Sequence, residues 1–229
     1  MSAKLLEVKH FTVTLDRSEI LSDLNFSVDE EEFLTILGPN GSGKTVLLKS
    51  LLGLLPHKGE LKWYKEPKIG YLPQGLNQMS VRDMPLTVQD FFELKKIGQS
   101  EVLKHLSHVG LESSILNKGA GYLSGGEFQR MLVAWVLSSN PNVLFLDEPT
   151  TAIDVTGDET IYSLLKDIWQ KHNLTVFNVT HDFNIVHEYS THVLCLSRLG
   201  RSCYGVPKEI LTQDVLNDIY GSQIKFYTH

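Results

Sequence analysis

Residues 122–130 read YLSGGEFQR, and how that stretch is understood decides what kind of α/β protein this chain forms. A serine and two glycines run into an apolar-periodic segment, so a helix is expected over residues 127–138. Read locally, Ser124 and Glu127 make a capping box, with serine at the N-cap and glutamate at N3. That explains the serine and the glutamate but not Gly125 and Gly126. Glycines at the first helical positions leave backbone N–H groups unobstructed, and a helix N-terminus with open N–H groups suits an oxygen-rich anion. The stretch holds no lysine, so it fits a contribution to a phosphate group held elsewhere.

A holder for that phosphate lies earlier in the chain. Gly38-Pro39-Asn40-Gly41-Ser42-Gly43-Lys44-Thr45 fits the phosphate-loop pattern in full. Its glycines let successive N–H groups turn inward around an anion without Cβ clashes. Lys44 is expected to reach the β- and γ-phosphates, and the Thr45 hydroxyl to ligate Mg²⁺. The buried run Leu34–Leu37 before it and the helical periodicity of residues 46–55 after it supply the strand and helix the pattern needs. A second apolar run, Leu144-Phe145-Leu146, ends in Asp147 and Glu148. Carboxylates at the C-terminal end of a strand sit where ligands bind in open α/β sheets. Asp147 is placed to hold Mg²⁺ through water, and Glu148 to orient or deprotonate an attacking water.

Working outward, residues 5–15 and 19–33 alternate apolar and polar positions, as antiparallel strands do. Two more strands are expected over 59–73, helices over 87–96 and 100–111, and strands at 142–146, 174–180 and 191–196 with a helix between the first two. Strands alternating with helices point to a parallel-sheet α/β core. The fold class is therefore α/β: a P-loop NTPase core, an N-terminal antiparallel β subdomain and a small helical subdomain. Residues 1–74 and 140–229 would form the core, and 75–139 the helical part with YLSGGEF at its end.

Composition narrows the class. The chain has 229 residues, 42% of them hydrophobic, and a net charge of −6, which gives no electrostatic reason to expect nucleic acid. The longest uncharged stretch, Met131 to Leu146, is broken by Ser138-Ser139-Asn140-Pro141-Asn142, so no segment is expected to span a bilayer. The opening MSAKLLEVKHF lacks the apolar run of a signal peptide, and a soluble intracellular protein is expected. In that setting Cys195 and Cys203 read as reduced core thiols rather than a disulfide or metal clip. His105 and His108 share a helix face, but with no third ligand nearby they read as solvated.

LSGGEFQR resembles the signature motif of ATP-binding cassette (ABC) ATPases, the motor subunits of ABC transporters. Further stretches follow the order of that family: GPNGSGKT, a strand ending in glutamine (Ile69-Gly70-Tyr71-Leu72-Pro73-Gln74), then LSGGEFQR, NVLFLDEP, TTAID and FNVTHD. The resemblance covers essentially the whole chain. It implies an ATPase using ATP and Mg²⁺ whose two subunits pack head to tail when ATP is bound. Ser124, Gly125 and Gly126 would then bind the γ-phosphate of the ATP held by the other subunit's phosphate loop. It further implies that Gln74 contacts Mg²⁺ or the attacking water, that Asp154 sits in the loop joining the two active sites, and that His181 hydrogen-bonds the γ-phosphate.

The sequence departs from the family at two places. Leu15 stands where members usually stack an aromatic ring on adenine, whereas Phe11 falls too early and reads as core. Residues 30–32 are Glu-Glu-Glu where members have Glu-Gly-Glu. RDMPLTVQDF and the ending HVLCLSRLGRSCYGVPKEILTQDVLNDIYG are similar to the zinc- and manganese-import branch, and iron-chelate and vitamin B12 importers have related endings. The resemblance thus implies integral membrane permease subunits as partners, indirectly an extracytoplasmic substrate-binding protein, and a peripheral place at the cytoplasmic face of the membrane. The competing reading is a soluble ABC ATPase without a membrane partner, such as an iron–sulfur assembly protein. The compact segment between Gln74 and Leu123 fits the transporter type.

Overall fold

Strand β1 (Lys4–Leu15) turns at Asp16-Arg17 into β2 (Ser18–Asp29), and Leu15 pairs with Ser18 across the turn. Both turn residues have positive φ, 47° and 67°, the backbone a two-residue hairpin needs to match the strand twist. In the computed structural model, which describes residues 3–76, 84–149 and 155–221 (side chains at 155–160 and 184 excepted), the chain forms two units. One comprises Met1–Pro67 with Asn173–His229, the other Lys68–His172.

In the first unit, β1 is the middle strand of an antiparallel sheet, with β2 on one side and β4 (Lys58–Trp63) on the other. Alternation puts Leu6 and Val8 on the buried face, and a register shift between Val8 and Phe11, where His10 has φ 50°, returns Phe11 and Val13 to that face; Phe11 stacks on His57 as a core residue. The second sheet of this unit runs β7-β3-β8-β9, formed by β3 (Phe33–Leu37), β7 (Thr175–Thr180), β8 (His192–Leu196) and β9 (Ser202–Gly205). Strand β3 is parallel to both β7 and β8, and all of its residues are buried, the mark of a strand covered on both faces. Helix α1 (Lys44–Leu51) is shorter than its periodicity predicts. It ends ahead of Pro56 because Gly53, at φ 72°, takes the left-handed position, and Leu54 N–H closes back onto Lys49 O at 2.8 Å.

The C-terminal part adds elements that periodicity did not reveal: α6 (Phe183–Tyr189), β9, α7 (Pro207–Ile210) and α8 (Gln213–Tyr220). Helix α8 starts at Thr212, whose hydroxyl accepts from Val215 N–H. Its apolar side sets Ile219 into a cluster with Leu37, Val186, Val193 and Cys195. Strand β9 pairs antiparallel with β8 so that Cys203 lies opposite Cys195, and the two are joined as a disulfide with Cα atoms 4.9 Å apart. This corrects the expectation of reduced thiols: composition speaks only of the surroundings, whereas the register brings the sulfurs within bonding reach.

The second unit holds the parallel pair β5 (Ile69–Leu72) and β6 (Val143–Asp147) and the helices α2 (Val88–Glu93), α3 (Gln99–His108), α4 (Gly125–Leu137) and α5 (Val155–His172). Helix α4 packs so close to β5 that a Cβ on Gly70 would come within 2.6 Å of Val136. Trp135 ties α4 to α2: its indole N–H donates to Phe91 O, its ring meets Phe91 edge-on, and the Lys95 ammonium sits over it at 3.8 Å. The expectation of solvated histidines holds for His108 and fails for His105, which is 7% exposed because it faces inward on α3. The fold also brings His172, at the end of α5, to 5.8 Å from His108 between ring centroids. Among the described residues, no group of three His, Cys, Asp or Glu could hold a metal ion, and no helix is long and apolar enough to cross a membrane.

Candidate functional site

The last register pair of β3 and β7 is Leu37 with Thr180, so Gly38 and His181 leave neighbouring parallel strands side by side at their C-terminal ends. The loop from Gly38 to Gly43 is shaped by contacts only glycine permits. A Cβ on Gly38 would lie 2.3 Å from Leu196 O, and Gly43, at φ 94°, would strike Leu21 at 2.8 Å. Lys44 is 6% exposed and folded back, with Nζ donating to Gly38 O at 2.7 Å and to Pro39 O at 3.2 Å. Ser42 Oγ is buried without a hydrogen-bond partner among the described residues, an orphan that an incoming oxyanion would satisfy. Leu15 is half-buried at the end of β1, in the hairpin whose Ile20 and Leu21 press on Gly43.

Two contacts to this loop come from residues that motif reading missed. Arg198, on the turn between β8 and β9, donates from Nε to Asn40 O at 2.9 Å. The Tyr220 hydroxyl lies near the backbone of Gly38 without a hydrogen bond of normal geometry, and burial is the main reason its pKa lies far above that of a free tyrosine. Both lie in the C-terminal stretch that is similar to the metal-import branch, but neither belongs to a motif with a chemical role, and only the tertiary structure sets them on the loop.

In the second unit, the final pair of β5 and β6 is Leu72 with Leu146, which delivers Gln74 and Glu148 to the same level just beyond the strand ends. Gln74 Nε2 donates to Glu148 Oε2 at 2.8 Å. Glu148 has φ 50°, a left-handed backbone that a non-glycine residue adopts at some cost and that turns its side chain off the strand line. Asp147 closes β6 and is 1% exposed. The Gln129 side chain donates to Pro149 O, anchoring the segment after Glu148 to α4.

Ser124 caps α4 as its sequence predicts: Oγ accepts from Glu127 N–H at 3.2 Å, and Glu127 Oε2 accepts from Ser124 N–H at 2.8 Å. The Ser124 backbone N–H is the main reason the Glu127 carboxyl lies below the usual range. Gly125 and Gly126 are the first two residues of the helix, and a Cβ on Gly126 would meet nothing within 4 Å. Packing among the described residues therefore places no demand for glycine at Gly126, where alanine would favour the helix by up to about 1 kcal/mol. Asp154 lies outside the described residues.

A sequence profile of the ABC transporter family matches residues 21–151, more than half of the chain. The chain belongs to the ABC transporter family. As an ABC ATPase, it binds ATP and hydrolyses it to power transport. It is 38% identical to the zinc import ATP-binding protein ZnuC of Histophilus somni over 98% of this chain and 86% of the relative. The ZnuC of Haemophilus influenzae is 37% identical over 98% of this chain and 85% of its own length. Among solved structures, cbiO1 of Clostridium perfringens, part of the ABC transporter complex cbiONQ, superposes with a TM-score of 0.80. It is 25% identical, and the match covers 94% of each chain.

Proposed function

We propose that this ABC ATPase is the energy-coupling subunit of an importer for a divalent transition-metal ion such as zinc or manganese. The observation that carries this reading is the near full-length likeness to zinc-import ATP-binding proteins. The ion is cargo of the assembly: this chain's part is to hydrolyse ATP beneath integral membrane permease subunits at the cytoplasmic face. An extracytoplasmic binding protein would deliver the ion.

The chemistry follows from the residues. The triphosphate lies in the Gly38–Thr45 loop, where Ser42 Oγ gains a partner and Lys44 exchanges the carbonyls of Gly38 and Pro39 for phosphate oxygens. Leu15 covers the adenine face. Thr45, Gln74 and Asp147 offer hard oxygen donors of the kind Mg²⁺ takes, and the ion would neutralise charge developing on the phosphates. Glu148, oriented by the Gln74 amide, positions and deprotonates the attacking water, and His181 hydrogen-bonds the γ-phosphate. Ser124, Gly125 and Gly126 close over the ATP of a second copy of the chain, with Asp154 in the loop between the two sites. The open face of Gly126 supports this: the glycine leaves room for a group from outside the chain.

The test is purification of a Glu148→Gln variant from detergent-solubilised membranes with ATP and Mg²⁺, followed by mass spectrometry. A polytopic membrane protein in stoichiometric amount is the expected result. Recovery of soluble partners alone would overturn the importer reading.

A further inference from the structure

We infer that Arg198 is a positioning residue of the phosphate loop, a second cation that fixes the loop backbone where Lys44 does not reach. The inference rests on the ATPase reading of the loop and adds a residue outside every motif of the chain.

Three successive carbonyls of the loop are held by side-chain cations. Gly38 O and Pro39 O accept from Lys44 Nζ at 2.7 and 3.2 Å, and Asn40 O accepts from Arg198 Nε at 2.9 Å. In a trans peptide the C=O and the following N–H point in opposite directions, so holding the Asn40 carbonyl also fixes the direction of the Gly41 N–H. Sterics do not fix that peptide. Gly41 has φ 82°, and a Cβ there would meet nothing within 4 Å, so the Asn40–Gly41 unit sits in open space beside a residue with wide conformational freedom. Arg198 supplies the restraint that packing omits. When Lys44 turns to the phosphates, Arg198 still holds its carbonyl, and the loop keeps its N–H groups directed at the anion.

Arg198 is presented from a stiff support. Ser197 Oγ accepts from Leu199 N–H at 3.2 Å and from Arg201 N–H at 2.9 Å, and Ser197 N–H donates to Arg201 O at 2.9 Å. Behind this turn, the Cys195–Cys203 disulfide joins β8 to β9. The Arg198 side chain itself is exposed, so truncating it opens no cavity. Arg201 on the same turn points elsewhere, pairing with Asp218 at 3.0 Å.

The test compares ATP affinity by calorimetry, and steady-state KM and kcat, for the full chain and three variants. Arg198→Ala should weaken ATP binding and raise KM by about three- to tenfold, the worth of one partly exposed hydrogen bond, with kcat changed less than about twofold and an unchanged melting temperature. Arg198→Gln can donate the hydrogen bond without the charge and should restore most of the affinity. Arg201→Ala should match the unaltered chain. Equal affinity of Arg198→Ala and the unaltered chain overturns the inference alone. So does an Arg198→Gln variant as weak as the alanine, since attraction of phosphate by charge would then suffice. An unaltered chain that binds no ATP overturns both this inference and the ATPase reading.

Discussion

The side-chain amide of Gln74 donates to the Glu148 carboxylate at 2.8 Å, joining the residues that follow two neighbouring parallel strands. A carboxylate that accepts one fixed hydrogen bond keeps its second oxygen in a defined direction, as a base that must meet one water requires. Glu148→Gln should retain ATP binding while lowering kcat by at least about a hundredfold. Gln74→Ala should lower kcat by a smaller factor and leave ATP affinity measured without Mg²⁺ within about twofold, since the amide orients the base and its oxygen is offered to the metal rather than to the nucleotide. Single-turnover hydrolysis beside equilibrium nucleotide binding checks both. A Gln74→Ala protein with full kcat would sink the orienting role.

Lys44→Ala should lose tight ATP binding, and Gly126→Asp should fold normally because the space at its Cα is open. Neither variant alone should dimerise with ATP. Mixing them creates one composite site with both halves intact, so ATP-dependent association, read by light scattering, should return in part. If the mixture stays monomeric, the phosphate loop and the Ser124–Gly126 cradle do not act across two chains.

Leu15 gives adenine an aliphatic face. Leu15→Tyr should tighten ATP binding by about 0.5–1.5 kcal/mol through ring stacking. Titration with ATP and with triphosphate alone separates base from phosphate contacts. A gain for both ligands would show that Leu15 does not face the base.

Glu31 has φ 65°, so the turn before β3 keeps the left-handed backbone of a glycine position although a glutamate occupies it. A non-glycine residue there costs about 1–2 kcal/mol. Glu31→Gly should stabilise the chain by about 0.5–1 kcal/mol once glycine's greater unfolded-state entropy is subtracted. The Glu31 N–H that donates to Thr175 Oγ1 at 2.9 Å is kept. Urea unfolding measures the difference, and a loss of stability would mean the glutamate side chain outweighs its backbone strain.

Burial, with smaller contributions from His108, Lys104 and His172 against an opposing one from Glu101, lowers the His105 pKa below its ordinary value. The native chain then binds fewer protons than the unfolded chain as pH falls past the ordinary histidine range. Stability from neutral His105 is complete above that range and is lost as pH drops through the lowered native value, by at most about 1.4 kcal/mol per pH unit. His105→Phe should flatten the stability profile between about pH 7.5 and 5.5. An unchanged slope would assign the acid sensitivity to other groups, His172 first, whose pKa burial also lowers.

Residues close together in the chain carried much of this molecule. The Ser124–Glu127 box, the glycines of the phosphate loop, the apolar runs of β3 and β6 and the alternation of β1 and β2 each have a local cause in capping, φ freedom or side-chain period, and each was legible. The C-terminal elements were not, because α7 is a single turn, β9 is a short half-buried strand, and their faces are set by what they pack on. The same holds for particular residues. Cys195 meets Cys203 through strand register, His172 reaches His108 through the packing of α5 on α3, and Arg198 reaches Asn40 across 158 positions of sequence. Sequence alone determined the family and its chemical groups, since short motifs encode local backbone geometry. Only the tertiary structure decided which residues outside those motifs brace them, because such contacts depend on the register and packing of distant segments.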